Sequence, residues 1–249
     1  MAFEPEAATY PPLDVPKPVA EGVWIVDSGP LRVLGMPLPV RMTVLRLADG
    51  GLWLHSPTRY DPDLHEALEA LGPIHHLVAP NSAHWTFVAA WQRHCPDARV
   101  WAAPGLRARP QVRRSDLRID HDLPDAAPPE WSGEIGQVVV PGRLGFREVA
   151  FHHRASRTLV LTDLVLNLEP ERLPALARPL ARLIGVTAPD GRAPAYLRAV
   201  VKLAGRPAAE AARRLVAFRP DRVIFAHGRF FEHDGAARLA RSLAWLLPR

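Results

Sequence analysis

Three short apolar runs each end on an ionisable side chain, and that pattern narrows the folds open to this chain. Residues 157–163 (RTLVLTD) end on Asp163. Residues 74–80 (IHHLVAP) lead into Asn81-Ser82-Ala83-His84, and residues 222–226 (RVIFA) lead into His227-Gly228. Runs of Val, Ile and Leu of this length read as buried strands. Ligands gather at the carboxyl ends of strands in layered α/β folds, so Asp163, His84 and His227 are expected on one rim.

The remaining segments supply the layers. Residues 1–20 carry five prolines and little periodicity, which reads as an extended arm. A meander follows: strands near residues 23–26, 39–47 and 52–54, the last two joined by Ala48-Asp49-Gly50-Gly51, with His55 just beyond. Asp61 and Pro62 announce a helix whose Leu64, Leu68 and Leu71 share a face, and Gly72 ends it. A helix from Trp85 towards Cys95 and a strand at 98–102 complete a strand–helix–strand alternation, the signature of parallel pairing. Residues 104–133 read as a long connection, with a short helix near Leu106. A second β cluster spans 136–163, helices broken near Gly185 and Gly205 span 172–217, and Asp234 is expected to cap a final helix.

With 249 residues, 48% of them apolar, the chain can bury one full core, and no Gly/Ser linker divides it. The expected organisation is a proline-rich arm, 1–20, and a single domain, 21–249. One cysteine, Cys95, excludes an internal disulfide and a cysteine-based zinc site, which suits a cytoplasmic setting. No signal-peptide pattern and no spanning apolar run is visible, so no membrane partner is expected. The net charge of +5 is carried by scattered arginines, densest over 107–118, without interleaved aromatics. Nucleic acid is therefore not the expected partner; a small-molecule ligand or substrate is.

The order of these motifs resembles the metallo-β-lactamase superfamily, a four-layer αββα sandwich. Its loop signature Thr-His-x-His-x-Asp-His aligns with Asn81-Ser82-Ala83-His84-Trp85-Thr86-Phe87, and its Pro-Gly-His turn with Pro141-Gly142-Arg143. The strand-ending Asp aligns with Asp163 and the final His-Gly with His227-Gly228, so the likeness runs over about residues 22–248. It is greatest to a branch whose members carry a degraded loop of the same kind. Ser82, Thr86, Phe87 and Arg143 stand where the resemblance implies ligands, leaving His84, Asp163 and His227. A Phe cannot ligate, and an arginine brings a fixed positive charge. The site is thus expected to hold at most one ion, zinc or else iron or manganese, or none.

Two histidines and a carboxylate suffice for one catalytic zinc with an open position for water. Their functional expectation is a metallo-hydrolase-like protein in which that water attacks an ester, another acyl group or a phosphoryl group. Glu148, His55 and Arg143 are candidate additional site residues. Each has a plainer role open to it: Glu148 paired with a surface arginine, His55 bonded within a turn, Arg143 on the surface. The competing expectation is a catalytically inactive scaffold that binds a small ligand or protein partner in the former cleft, with His84, Asp163 and His227 in a metal-free hydrogen-bond network.

Overall fold

The computed structural model describes residues 5–33 and 36–247. Its larger sheet has seven strands in sequential order: β1 (Lys17–Ala20), β2 (Val23–Val33), β3 (Met36–Arg46), β4 (Leu52–His55), β5 (Ile74–Ala79), β6 (Arg99–Ala102) and β7 (His121–Asp122). The first four pair antiparallel, and β4 to β7 pair parallel. Between them lie α1 (Pro62–Glu69), α2 (Val88–His94) and the single turn α3 (Pro110–Arg113). The smaller sheet is built from β8 (Ile135–Pro141), β9 (Arg147–His153), β10 (Thr158–Val160) and β11 (Arg222–Ile224), in the order β11-β10-β9-β8. Its helices are α4 (Arg178–Ile184), α5 (Ala195–Lys202), α6 (Arg206–Ala217) and α7 (Gly235–Leu243).

Strand side chains alternate with period two, and here both faces of each sheet are buried. Val23, Ile25, Trp53 and Val78 of the larger sheet meet Val149, Phe151, Val160 and Ile224 of the smaller one, with Trp101 and Trp131, in a shared inner core. Their strand neighbours Val26, Leu52, Leu54 and Leu77 face the other way, against Leu64 and Leu68 of α1 and Trp91 of α2. Leu159, Val223 and Ala150 face outwards to Leu197, Ala212, Leu215 and Leu239 of the opposite helices. The layers are therefore helix, sheet, sheet, helix, the expected αββα sandwich.

Several local expectations hold in detail. Asp61 caps α1 by accepting the Leu64 N–H, with Pro62 in the first turn. Gly185 closes α4 in the left-handed conformation. Others need correction. The N-terminal arm is not merely draped on the surface: Lys17–Ala20 pairs with β2 as an edge strand, a position where prolines are tolerated. Asp234 does not cap α7 with its side chain; it sits at φ 54, and the following Gly235 N–H donates to Asp221 O. The strand β2 runs for eleven residues where only 23–26 was expected, and β3 begins at Met36 rather than residue 39.

Candidate metal centre

Four loops that leave the carboxyl ends of β4, β5, β10 and β11 bring Ser56, His84, Asp163 and His227 together. Here the two sheets also join, because the Val149 N–H of β9 donates to Pro80 O at the end of β5. Asn81 makes the loop after β5 into a cradle. Its Oδ1 accepts from the Ala83 and His84 N–H groups, and its Nδ2 donates to Asp163 Oδ2 at 2.8 Å and Thr162 Oγ1 at 2.9 Å.

Three atoms then converge. His84 Nε2 and His227 Nε2 each lie 3.3 Å from Asp163 Oδ1 and 3.3 Å from one another. His227 Nδ1 is 2.8 Å from Pro39 O, which can only accept, so that nitrogen carries the proton and the Nε2 of a neutral ring is bare. A bare imidazole nitrogen, a carboxylate oxygen and at most one N–H from a neutral His84 cannot satisfy all three contacts. Lone pairs face lone pairs unless a cation or a further proton sits among them. Corners of a tetrahedron with zinc–ligand distances of ~2.0–2.1 Å are separated by ~3.3–3.4 Å, so the triangle fits three ligands of one ion. His84, Asp163 and His227 are the one such group among the described residues.

The electrostatics agree. Burial opposes a charge on His84, but the Asp163 carboxylate, hydrogen-bonded to it, and then Glu148 raise its pKa above the usual 6.5. Burial pushes Asp163 the other way, and His84 and His227 overcome it, holding the carboxyl well below its usual range. Ser56 Oγ is 2.6 Å from His84 Nδ1 and fixes the ring from behind, the outer partner that ligating histidines commonly have. Ser56, His84 and Asp163 thus stand in series. Ser56 has no oxyanion donor of its own, however, since its N–H is bonded to Val78 O.

The three additional candidates fall elsewhere. Glu148 is fully buried behind Asp163, where its carboxylate accepts the Thr162 and Asp163 N–H groups at 2.8 and 2.9 Å. Burial, then the nearby Asp163, raises its pKa. It orients the turn that carries Asp163 and, among the described residues, has no surface arginine as partner. His55 is stacked on Trp53 with Phe151 against its edge, and burial lowers its pKa to about 3, so it is a neutral core ring. Arg143 is exposed and donates from Nε to Leu203 O at the end of α5, outside the cleft lining.

Sequence reasoning missed most of the walls. A cavity of about 480 Å³ opens over the three converging atoms. Leu31, Val33, Leu38 and Val40, from the β2–β3 ribbon, line one side, with Phe87 and Tyr196 among the rest. Arg59 is the only arginine or lysine in the lining and has no partner among the described residues. Pro30 and Pro37 disguised the outer part of the ribbon as loop.

A family described as a domain of unknown function, DUF4336, matches residues 21–190. No curated protein matches the chain. Solved structures do. The DIM-1 metallo-β-lactamase exposed to ceftazidime is 15% identical with a TM-score of 0.66, over 93% of this chain and 95% of that one. The FIM-1 metallo-β-lactamase from Pseudomonas aeruginosa, in its mono-zinc form, is 14% identical at TM-score 0.64, over 93% and 94%. The metal-soaked Flv1 flavodiiron core from Synechocystis sp. PCC6803 is 12% identical at TM-score 0.64, over 93% of this chain and 60% of that one. At such identities the likeness is one of fold, and the fold is that of the metallo-β-lactamases.

Proposed function

Because the chain belongs to the DUF4336 family, whose description assigns no reaction, we propose its function from the cleft: a metallo-hydrolase-like protein that holds one divalent ion, zinc or else iron or manganese, on His84, Asp163 and His227. The observation that carries this reading is the triangle of converging ligand atoms 3.3 Å apart at the floor of an apolar cleft. An ion there supplies Lewis acidity towards an acyl or phosphoryl oxygen and lowers the pKa of water towards ~7.

The chain's own residues do the rest. Pro39 O and Ser56 Oγ hold the two imidazoles so that both Nε2 atoms face the cleft. Asn81 and Glu148 fix the Asp163 loop from behind. The ribbon residues and Phe87 exclude water and accept the apolar part of an ester or other acyl substrate, while Arg59 offers a charge to an anionic group at the mouth. A cytoplasmic setting suits Cys95, a buried thiol whose pKa burial and then Glu69 push up to about 11.

The second reading, a silent scaffold that binds a ligand in the cleft, is favoured by one observation. Phe87 lines the wall where the superfamily pattern has a ligand, so a second ion has no seat there. Elemental analysis of untagged protein, purified without chelator, separates the two. About one equivalent of metal, absent in Asp163→Ala that remains folded by circular dichroism, is expected, together with turnover of a generic aryl ester or phosphodiester. Protein that stays metal-free after incubation with zinc overturns the metal assignment and leaves the scaffold.

A further inference from the structure

Soluble proteins scatter their exposed apolar side chains; this one concentrates them. Among the described residues eight large apolar side chains are exposed, and five of them, Leu176, Leu180, Leu183, Tyr196 and Leu203, lie on α4, α5 and the turns beside them. In α4 only Ala181 is buried, so its leucines point the wrong way for a core-facing helix. Tyr196 and Leu203, two turns apart, share one face of α5. Arg198 ties α5 to the end of α4 through Ile184 O, and Arg143 ties the turn bearing Leu144 to α5 through Val200 O and Leu203 O. Leu144, Leu176 and Leu183 are 90%, 96% and 82% exposed, so these are protruding knobs rather than the lining of a groove.

The same segment is strongly basic. Residues 172–206 hold seven arginines and lysines against one carboxylate, Asp190, so they alone exceed the +5 of the whole chain. Asp190 is itself paired with Arg241. Arg182, Arg192, Lys202 and Arg206 are exposed with no ion-pair partner among the described residues.

We propose that this face seats the protein on an anionic lipid surface, with the cleft opening beside it. Protruding leucines and unpaired cations carried by the same segment match a headgroup–acyl boundary, which receives knobs without shape complementarity and attracts the positive charge. A second copy of the chain fits poorly, because a two-fold contact would set one basic face against another. Among the described residues no helix is long and apolar enough to cross a membrane, so contact is peripheral. A peripheral seat departs from the expectation of no membrane partner, which rested on the lack of a spanning apolar run. Because Tyr196 belongs both to the face and to the cleft lining, a seated protein would draw amphiphilic molecules from the lipid layer.

Vesicle flotation with the full chain tests this. Binding to phosphatidylcholine mixed with phosphatidylglycerol is expected, with little binding to phosphatidylcholine alone. Leu176→Ser/Leu183→Ser should weaken it roughly tenfold at unchanged thermal midpoint, and Arg182→Glu/Lys202→Glu should abolish it. Equal binding to both vesicle types, or binding that ignores the leucine change, overturns the proposal. So does absence of flotation, and a leucine-dependent dimer in sedimentation or leucine-dependent binding to an acidic protein surface would then name the occupant instead. Asp163→Ala should float like the parent protein, so failure of the metal assignment leaves this result intact.

Discussion

At the scale of single residues, the centre is governed by competition between protons and a cation for the same three atoms. The raised pKa of His84 has a definite sign. Charged His84 is stabilised by Asp163 in the folded chain, so its contribution to metal-free stability is present below the unfolded value of about 6.5 and is lost as pH rises through the folded value. A metal ion must displace that proton. Apparent zinc affinity should therefore rise with pH, by up to about tenfold per unit below the folded pKa of His84, and flatten above it. A competition titration with a chromophoric chelator between about pH 5.5 and 8.5 reads this slope. In His84→Ala the slope should flatten along with a large loss of affinity. A pH-independent affinity in the parent protein would mean that His84 is not the proton-linked ligand.

At the scale of elements, the strand ends do the positioning, and one glycine shows how tightly. Gly228 follows His227 with φ +91, and a Cβ there would lie 2.3 Å from Asn167 O. Gly228→Ala is expected to cost on the order of 2–4 kcal/mol through strain and collision. Because Gly228 sits in the turn that carries His227, and Asn167, whose backbone the Cβ would meet, is bonded to His227 O, zinc uptake should fall with it; urea unfolding and metal analysis on the same variant read both effects. This element was legible in the sequence, since His84, Asp163 and His227 each follow an apolar run that could only be a buried strand. Asp61-Pro62 before α1 was equally plain. The outer part of the β2–β3 ribbon was not. Beyond Ser28 the two strands pair with each other alone, as a projecting edge where prolines are permitted, so its composition mimics a loop. Glu148 was legible as a site neighbour but not by role, because its partners are backbone N–H groups that leave no trace in sequence spacing.

At the scale of the whole molecule, the candidate centre exists only where the two halves of the sandwich are held in register. His84 comes from the larger sheet, Asp163 and His227 from the smaller, and one buried arginine fastens them. Arg41 of β3 pairs with Asp27 of β2 at 2.6 Å, and its Nη1 donates to Phe225 O at 3.0 Å and Gly228 O at 2.7 Å, on both sides of His227. The His227–Pro39 bond crosses the same gap. Removing one partner of a buried ion pair typically costs ~3–5 kcal/mol, and Lys17, also paired with Asp27, should soften that loss. Arg41→Met is therefore expected to lower stability and, without touching a ligand, to weaken zinc binding by freeing the turn that carries His227. Stability alone could mimic this result, so the comparison needs a variant of similar cost elsewhere. Leu68→Ala, in the outer helix layer, should cost roughly 2–5 kcal/mol by cavity formation and leave zinc affinity unchanged at temperatures where it is folded. If both variants lose zinc equally, global loosening rather than register between the halves controls the site. If only Arg41→Met does, the first sheet is holding a ligand of the second in place.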